Sequence, residues 1–108
     1  MQNDPATKRE AYSEKLEQAF VELVAERVEA RGWKKVEFAV QIWPKSTRKA
    51  ASSKWSDIRG KASNTGKPQG IGLAEAIRMA QVIGYDLTYL MVLAQEKVRE
   101  DKLGDNSE

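Results

Sequence analysis

Apolar residues in this 108-residue chain recur at three- and four-residue steps, and the runs are cut at Gly32, Pro44 and Gly84. That period is the mark of helices with one buried face, and no segment shows the two-residue alternation of a half-buried strand. The chain is therefore expected to be all-α. Tyr12, Leu16, Phe20, Leu23, Val24 and Val28 define a long amphipathic helix from about Lys8 to Arg31, with Glu14, Glu17, Glu22, Glu26 and Glu29 on its other faces. Thr7 followed by Glu10 has the form of a capping box at its start. Gly32 suits the left-handed residue that closes a helix, while Arg27 and Arg31 bring positive charge to the negative end of the dipole.

A short second helix is expected over Lys34 to Ile42, with Val36 or Phe38, Ala39 and Ile42 inward, and Pro44 disfavours continuation past Trp43. Ala51, Trp55 and Ile58 share a face at i, i+4 and i+7, which predicts a third helix containing Ser52 to Arg59 whose other face is polar and basic. Gly60 to Gly70, GKASNTGKPQG, has the composition of an exposed, mobile loop. Leu73, Ala76, Ile77, Ala80 and Ile83 predict a fourth helix from Leu73 to Ile83, stopped by Gly84. Asp86 suits the cap of a fifth, along which Leu87, Leu90, Met91, Ala94 and Val98 keep helical spacing. Glu96 with Arg99 and Lys97 with Asp101 are candidate surface pairs, and the tail KLGDNSE is expected to fray. The expected organisation is one helical domain, a core over 8–99 between flexible tails at 1–7 and 100–108.

Charge is distributed unevenly along these elements. Between Gly32 and Gly70 stand nine Lys or Arg and two acids, a net +7, whereas residues 1–31 carry −2 and residues 71–108 carry −3. One face built to meet a polyanion, nucleic acid first, accounts for this asymmetry; lysines that simply keep a loop-rich segment soluble account for it equally well. The chain has no Cys and no His. Disulfides, thiolate and imidazole metal ligands, and the Ser-His-Asp and Cys-His nucleophile systems are thereby excluded, so no enzyme, no cofactor and no metal is expected. No apolar run approaches the roughly 20 residues of a membrane span, and a cytoplasmic protein with no membrane partner is expected.

The ordered series Gly32-Trp33, Phe38-Ala39 and Ile42, then Trp55-Ser56-Asp57-Ile58, then Leu73, Ile77, Ala80, Ile83-Gly84, Leu87 and Leu90 resembles the lambda-repressor-like (Cro and XRE-type) helix-turn-helix family over about residues 16–93. The resemblance implies a five-helix helix-turn-helix domain, here with a long N-terminal helix, whose third helix enters the major groove while the second lies across the backbone. It differs from the family pattern in a lengthened turn between helices two and three. Trp43-Pro44 replaces the glycine that closes helix two, and Arg59 and Val28 replace a Glu–Arg pair.

With Ala51, Trp55 and Ile58 inward, a 100° step puts Lys49, Ser53, Ser56 and Asp57 outward. The base-facing candidates are Lys49, Ser52, Ser53, Ser56 and Asp57: serine hydroxyls read several bases weakly, and a carboxylate at Asp57 accepts from a cytosine amino group or is simply a solvated acid. Lys34, Lys35, Lys45, Arg48, Lys54, Arg59, Lys61 and Lys67 are the phosphate-facing candidates. Arg59 either faces phosphate or finds Glu26 or Glu29. All three tryptophans, Trp33, Trp43 and Trp55, are expected in the core, and Trp43, beside Pro44, is the one candidate for exposure among them; aromatic stacking on unpaired bases is the minor alternative. Glu22 and Glu26 read as a solvated face. The leading expectation is a sequence-specific regulator of double-stranded DNA, a small bacterial or phage-type repressor acting as a homodimer, with no small-molecule effector evident. The first and last helices are its available dimer surfaces. The alternative is a helical adaptor that uses the same fold to bind a protein, such as a toxin or a phage component.

Overall fold

The computed structural model describes residues 5–60 and 69–105. Among them are five helices and no strand: α1 (Pro5–Ala30), α2 (Lys35–Ile42), α3 (Arg48–Arg59), α4 (Leu73–Ile83) and α5 (Leu87–Asp105). The all-α expectation holds, and α4 has the expected bounds. No helix is long and apolar enough to cross a membrane among the described residues.

Two left-handed glycines set the corners. Gly32 has φ 74° and Gly84 φ 79°. At the first, Gly32 N–H donates to the Glu29 carbonyl and Trp33 N–H to Val28; at the second, Gly84 N–H donates to Gln81 and Tyr85 N–H to Ala80. These are paired 5→2 and 6→1 closures, which satisfy carbonyls the helix leaves open and reverse the chain in two residues. Pro44 gives a different stop. Helix α2 ends at Ile42, Trp43 takes φ −123° and ψ 69°, and Thr47 restarts the chain as the N-cap of α3 by accepting from Ala50 N–H. Helix α3 thus begins at Arg48, a turn before the part that the apolar spacing picks out, because Thr47 caps it and side-chain pattern alone carries no signal there.

One core joins all five helices. Phe20, Val24, Phe38, Ile42, Trp55, Ile58, Met79, Ile83 and Leu90 are fully or almost fully buried within it. At its centre the Phe38 and Trp55 rings lie 4.9 Å apart and tilted by 58°, locking α2 against α3. Helix α1 runs alongside α5, tied at the surface by Lys97 Nζ, 3.6 Å from Glu22 and 3.9 Å from Glu26. Both acids are exposed, as expected of a solvated face. Lys97 thus reaches across to α1; the side chain of Asp101, its expected local partner, lies outside what the structure describes.

Several expectations fail in instructive ways. Tyr12, Leu73 and Ile77, placed on buried stripes by their spacing, are exposed at 47%, 71% and 38%. Leu73 and Ile77 lie on a stripe of α4 broader than its buried set of Ala76, Met79, Ala80 and Ile83, whereas Tyr12 lies in the stretch of α1 that is exposed all round. Thr7 and Glu10 lie inside α1, which starts at Pro5, so they do not form its capping box; proline at a helix start needs no N–H partner. The backbone of α5 continues to Asp105, where fraying is expected from residue 100. The glycine-rich segment falls largely on residues 61–68, outside the described residues.

Trp55→Ala should lower stability by about 3–5 kcal/mol, since it empties the centre of the core. Leu73→Ala, on the same count of apolar residues, should stay within about 0.5 kcal/mol of the parent. Urea unfolding followed by circular dichroism checks both, and equal losses would mean that the burial pattern is wrong.

Candidate functional site

The basic segment folds into α2, a five-residue turn over 43–47, and α3. The turn is short enough to hold the two helices as one unit and is slightly longer than the three to four residues usual in a helix-turn-helix. Because Ala51, Trp55 and Ile58 are all buried, the opposite face of α3 is set by geometry. Lys49, Ser53 and Ser56 are exposed along it. Ser52 and Asp57 flank this strip and are half-buried, so the structure brings three of the five base-facing candidates onto one open arc and leaves two at its edges.

Lys34, Lys35, Lys45, Arg48 and Lys54 are exposed around the same pair of helices. Among the described residues the ion pairs are those of Lys97, so none of these five cations is neutralised by a carboxylate within 4 Å. Lys61 and Lys67 lie outside the described residues. Arg59 finds neither Glu26 nor Glu29: its guanidinium carbon sits 5.4 Å from the Trp55 ring centre, and its Nε is buried with no hydrogen-bond partner. It closes a column in which Arg31 lies 5.3 Å from the Trp33 ring, Trp33 stacks on Phe38 at 6.5 Å, and Phe38 meets Trp55. Cation–π contact, rather than an ion pair, takes the place of the expected acid for Arg59.

The turn itself is anchored to α4. Trp43 is buried, as the core expectation for all three tryptophans has it, at 6% exposure. Its indole Nε1–H donates to Glu75 Oε2 at 2.8 Å, and the other oxygen of Glu75 accepts from Gly72 N–H, also at 2.8 Å. One carboxylate therefore caps α4 and pins the α2–α3 turn to it. Arg78, one turn further along α4, donates from Nε to the Ile42 carbonyl at 2.7 Å, satisfying the open C-terminal end of α2. Neither Glu75 nor Arg78 stands out in the sequence, because both partners lie more than thirty residues away.

The far end of α3 is held as well. Gln69 N–H donates to the Asp57 carbonyl at 3.0 Å and Ile71 N–H to Glu17 Oε2 at 2.9 Å, so the chain returns to α4 between α3 and α1. The α3 arc is thus framed by polar anchors at both ends: Glu75 and Arg78 at the turn, Glu17 and the Asp57 backbone beyond Arg59.

Glu75→Ala should cost about 1–3 kcal/mol by leaving the buried indole N–H of Trp43 without an acceptor. Glu75→Gln, which keeps one carbonyl oxygen, should cost less. Equal unfolding midpoints for Glu75→Ala and the parent protein would show that the turn is held by packing alone. Comparison of the chain with family models, with curated proteins and with solved structures finds no match in any of the three.

Proposed function

We propose that the chain is a sequence-specific double-stranded DNA-binding protein of helix-turn-helix type, a small transcriptional regulator acting as a homodimer in the cytoplasm. The observation that carries this reading is the open arc of Lys49, Ser53 and Ser56 on α3, on a helix pair that carries five further exposed cations with no carboxylate partner among the described residues. An α-helix of this exposure fits the major groove, where hydroxyls and a lysine reach base edges while the surrounding lysines and arginine meet phosphates. Helix α2, across the turn, supplies Lys34 and Lys35 at its N-terminal end, where the positive end of the helix dipole adds to their attraction for a phosphate. Ser52 and Asp57 act at the margin of the footprint, and Arg59 holds Trp55 rather than DNA. Dimerisation matches a two-fold operator with half-sites one helical turn apart.

A protein-binding adaptor is the second reading, and the exposed Leu73 and Ile77, one turn apart on α4, favour it. Salt separates the two. With roughly six phosphates neutralised, DNA affinity should fall on the order of a thousandfold between 50 and 200 mM salt, whereas an apolar docking face responds weakly.

Selection of bound sites from a random duplex library is the direct test, run beside a variant with Lys49, Ser53 and Ser56 changed to alanine. The parent should enrich a two-fold symmetric sequence with half-sites about 10 base pairs apart, and the variant, with unchanged circular dichroism, should enrich none. If the parent enriches no sequence even at low salt, the regulator reading is wrong.

A further inference from the structure

At the flank of the α3 arc, the α2–α3 turn, α3 and α4 line an open groove of about 350 Å³. Trp43, Lys45 and Ser46 of the turn line it, with Lys54 of α3 and Arg78 of α4. We propose that this groove is a seat for a phosphoryl group, held by Arg78 together with Lys45 and Lys54.

Arg78 carries the argument. Its Nε is fixed by the 2.7 Å bond to the Ile42 carbonyl, so the guanidinium plane is oriented by the fold, and the groove is lined by this side chain. The two Nη groups remain as a fork of donors, the geometry that matches two oxygens of a tetrahedral oxyanion. Lys54 is held over the Trp43 ring with Nζ 5.8 Å from its centre, which limits the lysine's freedom and keeps its charge at the groove wall. Lys45 is exposed on the turn, and Ser46 offers a hydroxyl.

Glu75, hydrogen-bonded to the groove's Trp43, does not line the groove: its two carboxylate oxygens accept from the Trp43 indole and from Gly72 N–H, and among the described residues Arg78 has no carboxylate within 4 Å. Three cations and no acid line the groove, which is therefore positive. A groove of this size and polarity takes a phosphoryl group with room to spare, at the small end of ligand sites. On α3, Lys54 lies about 100° around the helix from Ser53, so the seat opens to the flank of the proposed base-reading arc. The shared chemistry is a phosphate mono- or diester. It is supplied either by the backbone of bound DNA, beyond the base-reading footprint, or by a small phosphorylated compound.

The test uses the full chain and follows the indole N–H signal of Trp43 by NMR, assigned with Trp43→Phe, while inorganic phosphate is added at constant ionic strength. The signal should shift saturably, and Arg78→Gln should weaken binding about tenfold or more, the value of one charged hydrogen-bonded contact. The Lys45→Gln, Lys54→Gln double variant, which leaves the Arg78–Ile42 bond intact, should weaken it likewise, so the outcome does not hang on whether Arg78→Gln folds. No saturable shift, or unchanged affinity in the double variant, overturns the seat. A mixed-sequence duplex then distinguishes the source: a shift of the same signal assigns the seat to backbone phosphate, and duplex binding that leaves it unmoved assigns it to a free phosphorylated compound. The seat and the DNA reading fail separately, because phosphate binding without any enriched duplex sequence removes only the latter.

Discussion

The contact between Phe38 and Trp55 is the constraint on which the rest of this structure depends. It is the point where α2 and α3 meet, and both rings are almost wholly withdrawn from water. Ring pairs at such a distance add about 0.5–1.5 kcal/mol to the burial of their area, and they also fix an orientation that aliphatic packing leaves loose. Through Trp33 on one side and Arg59 on the other, the pair extends into a column from the end of α1 to the end of α3. Rotation of α3 about its own axis would break the column. The exposed arc of Lys49, Ser53 and Ser56 therefore owes its direction to residues on the other side of the helix.

Around this apolar column, carboxylates and one arginine hold the irregular segments. Glu17, Glu37 and Glu75 each accept from a backbone N–H outside the helical ladder: Ile71, Lys34 and Gly72 respectively. Such charge-assisted bonds satisfy amides that would otherwise be left open where helices begin or loops return. The pattern divides labour by residue type. Aromatic and aliphatic groups set how helices lie against each other, and acids on those helices determine where the connecting chain is allowed to go.

The sequence makes the helices legible because their signals are local. The stripe from Leu73 to Ile83 and its glycine stop define α4 within their own span, and Ala51, Trp55 and Ile58 orient α3 without reference to any other element. What is not legible depends on partners far along the chain. Trp43 reads as a core tryptophan, yet the acceptor that lets its indole N–H be buried is Glu75, thirty-two positions away and invisible to local spacing. Leu73 and Ile77 satisfy the same spacing rule as Ala76 and Ala80, yet they point past the edge of the neighbouring helices. Periodicity reports which residues share a face; it does not report how wide a face the fold covers. The same limit applies to the candidate site: local spacing suffices to collect Lys49, Ser53 and Ser56, whereas Arg78 joins the groove only through the bond to Ile42.

One feature of α1 has a mechanical consequence. Every residue from Pro5 to Lys15 is exposed although the backbone is helical, so the first three turns stand clear of the core. At 1.5 Å per residue this is an arm of about 16 Å. Its persistence rests on hydrogen bonds within the helix, while its base is clamped by Ala19, Phe20 and Val21 in the core. The arm is thus a cantilever whose root, not its tip, is shared with the core: side-chain changes over Pro5–Lys15 fall on solvent-facing positions and leave the buried residues that orient α3 untouched.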